Sequence, residues 1–132
     1  MQLSLPPNAY TYHRLQFYGI SVTPQWLCDY ARSRDPQGTI DRNDVTLMAR
    51  ALTTIIRKTG ISTITFEASL FDDTVKIPED VEARPVDDLI PIIAVCDQYT
   101  YKRRPSEKKM KRLIKILGGR QPRWWVDQQD CY

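Results

Sequence analysis

Along residues 64–70 apolar and polar side chains alternate one by one. Ile64, Phe66, Ala68 and Leu70 stand against Thr65, Glu67 and Ser69, and that period of two predicts a half-buried strand. Asp72-Asp73 is a turn signal, and Val75 and Ile77 resume the alternation, so the stretch reads as a β-hairpin. Residues 78–85 follow as an acidic loop.

Upstream the period is that of a helix. Residues 8–18 fit a short helix capped by Asn8 and stopped by Gly19-Ile20. A strand is the alternative there, because Tyr, Thr and Phe favour strands. Thr23-Pro24 opens a second helix, with Thr23 as cap and Pro24 at the first position, where its missing N–H costs nothing. Trp26, Leu27, Tyr30 and Ala31 share one side of it, and residues 35–38 make the turn that follows. In a third helix Asp41 is the expected cap, and Val45, Met48, Leu52, Ile55 and Ile56 form the apolar stripe. Arg57 and Lys58 suit its negative C-terminal end, and Gly60 stops it.

Residues 86–101 are equivocal by period. Pro91 would break a helix, and the dense run Ile92-Ile93-Ala94-Val95-Cys96 fits a buried strand over 92–101, preceded by one helical turn at 86–90. The last helix, 105–117, places Met110, Leu113, Ile114 and Leu117 on one face and ends at Gly118-Gly119. Helices gathered before a small antiparallel sheet built on a hairpin, then an amphipathic basic C-terminal helix, predict an α+β fold. Residues 1–119 are expected as one globular domain, and 120–132 as a tail carrying a Trp pair.

Length agrees with this organisation. A chain of 132 residues sits in the single-domain range and can bury a core without metal or disulfide. Three cysteines, Cys28, Cys96 and Cys131, are widely spaced with no CxxC, which argues against a disulfide framework or a zinc site. Residues 1–12 lack the pattern of a signal peptide, and no apolar run approaches a transmembrane length. The expected location is intracellular, cytoplasmic or nuclear.

Charge changes the picture more. The net charge is only +3, yet residues 102–123 hold ten Lys or Arg against the single acid Glu107. Residues 72–88 hold seven acids against Lys76 and Arg84. At 100° per residue, Lys108, Lys111, Arg112 and Lys115 fall opposite the apolar face of the last helix, with Lys109 at its flank. Arg103 and Arg104 precede the helix, and Arg120 and Arg123 follow it. Tyr99, Tyr101, Trp124 and Trp125 flank the cluster. Adjacent Trp124 and Trp125 in an extended chain must point opposite ways, so one is expected to dock on the domain and the other to be exposed.

Such a cluster predicts an anionic partner, nucleic acid first, because Lys and Arg neutralise phosphates while aromatic rings stack on exposed bases. The expected binding residues are Arg103, Arg104, Lys108, Lys111, Arg112, Lys115, Arg120, Arg123, Trp124 and Trp125. A solvated helix face with no ligand is the plain alternative. A protein partner or a homo-oligomer is another, with the acidic stretch meeting the basic helix across subunits.

Chemistry narrows little further. The single histidine, His13, excludes motifs that need two, and no GxSxG, P-loop or GxGxxG occurs. Residues 33–44 have the length of a calcium loop, with Gly38 and Ile40 at the sixth and eighth places. Pro36, the uncharged Ser33 and Gln37, and Asp44 in place of a bidentate Glu fit turn and cap roles better. The reading is a non-enzymatic binding domain with no catalytic residue, metal or cofactor assigned; an enzyme without a recognisable motif stands as the last alternative.

Overall fold

The computed structural model describes residues 14–35, 43–70 and 89–130. Among them lie four strands and three α-helices, an α+β fold: β1 (Arg14–Ser21), α1 (Pro24–Ser33), α2 (Asp44–Thr59), β2 (Thr65–Leu70), β3 (Leu89–Asp97), α3 (Glu107–Ile116) and β4 (Arg123–Asp130). A short 3-10 helix, Tyr101–Arg103, links β3 to α3.

The helices start where their caps dictate. Thr23 Oγ1 accepts from the Trp26 amide at 3.0 Å, with Pro24 at the first position of α1. Asn43, not Asp41, caps α2, its Oδ1 accepting from the Thr46 amide at 3.0 Å; Asp41 lies outside the described residues. Ser106 caps α3 in the same way through the Lys109 amide. The apolar stripe of α2 is turned from the expected one. Leu47, Ala51 and Ile55 are buried, while Met48, Leu52 and Ile56 pack at the margin and Val45 is 77% exposed. Small Ala51 sits mid-stripe on a helix that contacts both α1 and α3.

The strands close on one another in the order β1-β3-β2-β4, all neighbours antiparallel, with β4 returning to β1. Two sequence expectations give way here. Residues 14–18 belong to β1, the strand alternative rather than the helix, and Gly19 lies inside that strand rather than ending a helix. Residues 123–130, expected in a tail, form β4. The partner of β2 is β3, with Phe66 opposite Ile93. The expected second hairpin strand at Val75 and Ile77 lies outside the described residues. β3 begins at Leu89, so residues 89 and 90 are strand where a helical turn was expected, and it ends at Asp97. Pro91 is tolerated because it stands beyond the last β1 partner of β3, Ser21 opposite Ile92.

Alternation sorts the strand side chains onto two faces. Tyr18, Ile20, Ile93 and Val95 pack with Leu27, Leu47, Ile55, Met110 and Leu113 of the helices in the main core. Phe17, Ile90, Ile92, Ala94 and Trp125 form a second, smaller cluster. The helices lie outside the closed sheet, so the second cluster is its interior. β3 carries one extra residue against β1: Tyr18 faces Cys96 but Gly19 faces Ala94. That bulge puts Val95 and Cys96 both on the helix side and sharpens the twist that closure needs.

Gly19 makes this crossing possible. A Cβ there would collide with the Ile93 carbonyl oxygen and stand 2.9 Å from Ala94 Cα, both backbone atoms unable to swing aside. Gly118 and Gly119, which reverse the chain between α3 and β4, are needed for conformation only: φ is 74° and 87°, and open space surrounds each Cβ position. The two classes separate in a denaturation experiment. Gly118→Ala should cost about 1 kcal/mol for its left-handed backbone. Gly19→Ala should cost about 3 kcal/mol or more by overpacking against β3. Equal urea midpoints for the two variants would contradict the close approach.

Candidate nucleic-acid interface

The ten sequence-selected residues divide into two groups. Trp125 is buried, and its Nε1 donates to the Gly19 carbonyl at 3.0 Å, bolting β4 to β1. Its ring belongs to the barrel interior and is withdrawn from any partner. Trp124 points the other way, as alternation requires, but is half-buried rather than free. Its ring centroid lies 5.2 Å from that of Tyr18 and 5.8 Å from that of Tyr101. Arg104 caps this stack, its guanidinium 4.5 Å from the Tyr101 centroid. Arg120 donates to the Ser21 carbonyl at 2.9 Å, and the Arg123 guanidinium lies 5.5 Å from the Trp125 centroid. Trp124, Trp125 and Arg120 hold β4 and its approach from α3 against the barrel, whereas Arg104 and Arg123 stay exposed with their guanidinium groups resting on Tyr101 and Trp125.

The second group is Arg103, Lys108, Lys111, Arg112 and Lys115, all exposed. Four of them lie on α3 opposite the buried face of Met110, Leu113, Ile114 and Leu117, as the helical spacing predicts. Lys111 Nζ pairs with Glu107 Oε1 at 3.6 Å, an exposed contact of little stabilising value. Among the described residues the side chains of Arg103, Lys108, Arg112 and Lys115 form no ion pair with an acid. Lys109 is half-buried, its stem running past Gly60. The acidic stretch 72–88 lies outside the described residues.

Beside Arg103 opens a cavity of about 430 Å³ that sequence reasoning did not foresee. Phe17 and Ala94 of the barrel interior line it, with Thr65 and Glu67 of β2, Asp97 at the end of β3, and Thr100 and Arg103 beyond it. The 97–100 turn is tightly built. Asp97 Oδ1 accepts from the Tyr99 amide and the Thr100 amide, each at 2.8 Å, and from Thr100 Oγ1 at 3.1 Å. Thr100 Oγ1 in turn accepts from the Asp97 amide at 2.9 Å. Gln98 fastens the turn to β1, its Oε1 accepting from the Gln16 amide at 2.6 Å. Tyr99, between two lining residues, is 75% exposed. The Asp and Thr at positions 97 and 100 were the available signal for this turn.

Cys96 also lines the cavity, but it is poorly suited to attack. Burial, then Asp97, pushes its thiol up to about 11 from 9.0. Cys28 is buried in the core with its thiol directed at the Asp44 carbonyl. His13 lies outside the described residues, as do residues 36–42 of the calcium-like loop. Among the described residues no three His, Cys, Asp or Glu side chains group to hold a metal, and no helix is long and apolar enough to cross a membrane.

Comparison with known protein families, with curated proteins and with solved structures finds no match. The arrangement of side chains is therefore what bears on function.

The thiol assignment has a direct check. Below both pKa values the folded Cys96 thiolate population is about one-hundredth of the unfolded one, from the rise of 9.0 to about 11. Alkylation of Cys96 by iodoacetamide at pH 8, followed by mass spectrometry, should be at least that much slower in the native protein than in urea. The raised value also means that Cys96 favours folding below pH 9.0 and loses that contribution as pH climbs toward 11. Rapid native alkylation would contradict the assignment and revive a nucleophilic role.

Proposed function

We propose that this protein is a non-enzymatic binding domain for single-stranded nucleic acid, contacted through Arg103 and the exposed cations of α3. The observation that carries the reading is the group of cations without acidic partners among the described residues. An exposed Lys or Arg that stabilises nothing inside the molecule keeps its counterions for exchange with phosphates.

The aromatic component shifts from the expected residues. With Trp125 buried and Trp124 held between Tyr18 and Tyr101, stacking falls to Tyr99, the exposed ring nearest in sequence to Arg103. A single strand suits this better than a duplex, because only unpaired bases offer a face to a ring on a turn. The reading implies a cytoplasmic or nuclear location.

Fluorescence anisotropy with labelled short oligonucleotides tests it. One phosphate for each of Arg103, Lys108, Lys111, Arg112 and Lys115 gives a log–log salt slope of about −3.5, so affinity should drop about 100-fold between roughly 50 and 200 mM salt. Replacing Lys108, Lys111, Arg112 and Lys115 together by Glu should abolish binding while leaving the helical circular dichroism intact, since the packed face of α3 is untouched. Unchanged affinity in that variant would show the surface to be wrongly chosen.

A further inference from the structure

The cavity at the mouth of the barrel adjoins the basic run, because Arg103 belongs to both. Its volume of about 430 Å³ lies within the range of small-molecule sites. The wall has two characters. Phe17 and Ala94, from the apolar barrel interior, make one side. Thr65, Glu67, Asp97 and Arg103 supply polar groups, Glu67 being already engaged in another contact. A flat heterocycle with a polar edge matches that division, whereas an aliphatic ligand would leave the polar wall dry and a sugar would leave the apolar wall unmatched.

Asp97 is the decisive group. Its Oδ1 already accepts three hydrogen bonds from the 97–100 turn, which fixes the carboxylate in place. Its Oδ2 takes no hydrogen bond among the described residues. Asp97 pairs with Phe17 across β1 and β3, so its side chain shares the interior face with that ring. The result is a held acceptor beside an apolar wall, which favours a donor on the edge of a ring. Thr63 and Thr100 add no free hydroxyl, since Thr63 Oγ1 donates to the Val95 carbonyl at 2.7 Å and Thr100 Oγ1 is bonded to Asp97.

We propose that the cavity takes one nucleobase of the bound strand, selected for an exocyclic amino group that donates to Asp97 Oδ2. Arg103 holds the adjacent phosphate and Tyr99 stacks the neighbouring base. The selection disfavours uracil and thymine, which present a carbonyl acceptor where cytosine presents its amine. This assignment rests on the reading of α3 and Arg103 as the strand-binding surface for what brings the base to the cavity.

Nucleosides test the cavity separately, because they carry no phosphate and bypass the α3 cations. In a chemical-shift titration of the full ¹⁵N-labelled chain, cytidine should perturb the amides of Thr65, Ala94, Asp97 and Thr100. Uridine should bind about tenfold more weakly, the discrimination expected for losing one hydrogen bond to a charged acceptor. Asp97→Asn keeps an oxygen for the turn and offers an amide donor to the cavity, so it should level or invert the preference. Thr65→Trp, at an exposed lining position, should fill the mouth and remove the cytidine response without touching the core.

Absence of perturbation by either nucleoside at about 10 mM, which corresponds to binding too weak to matter here, would overturn the assignment. Equal binding of cytidine and uridine, or an unaltered preference in Asp97→Asn, would do the same. Such results leave the α3 surface standing if oligonucleotides still bind with a steep salt dependence. Conversely, nucleoside selection without oligonucleotide binding at low salt would remove the strand-binding reading alone.

Discussion

Everything in this fold is hung on the close crossing of β1 over β3 at Gly19. One short strand must pair with β3 on one side and β4 on the other while twisting enough to close the sheet. The missing side chain at Gly19 lets the two backbones meet, the extra residue Val95 absorbs the twist, and Trp125 clamps the Gly19 carbonyl from β4. A strand closed in this way exposes fewer unpaired backbone groups and leaves one face for the helices to cover. The same crossing fixes the functional end of the molecule. Gln16 and Gln98 tie the 97–100 turn to β1 two residues upstream of Tyr18, and the cavity opens between that turn and β2.

The helices were legible in the sequence because their signals are local. Thr23-Pro24 and Gly60 act within one turn of themselves, and the apolar spacing of Met110 to Leu117 names the buried face of α3 directly. The exposed face followed, so the cations of α3 were found where the sequence put them. β1 was legible only as an alternative, and β4 not at all, because what makes them strands is their pairing across about a hundred residues of chain. Gly19 shows the ambiguity sharply: a glycine after an aromatic run signals a helix stop as readily as a close approach of two strands, and only the partner strand decides between them.

The candidate site was half visible for the same reason. Pattern could say that Trp124 and Trp125 face opposite ways, but not which face is interior; the partners Phe17 and Tyr18 settle that. Arg120 and Arg123 looked like part of the basic surface because sequence counts charge without counting contacts. The bond to the Ser21 carbonyl makes Arg120 structural, and Arg123, though exposed, rests its guanidinium on Trp125. The cavity escaped altogether. Its walls come from β1, β2 and the end of β3, and Asp97 carries no motif until the turn around it is folded. What remains is a smaller and more specific surface than charge alone suggests: a strip of exposed cations leading to a cavity with a fixed acceptor.

Hydrogen–deuterium exchange with and without a short cytosine-containing oligonucleotide tests that surface most directly, because it reports location rather than affinity alone. The account predicts slowed exchange in residues 97–104 and along α3, with α1 and the first turns of α2 unchanged. Protection confined to α1 and α2, or none anywhere at low salt, would contradict it.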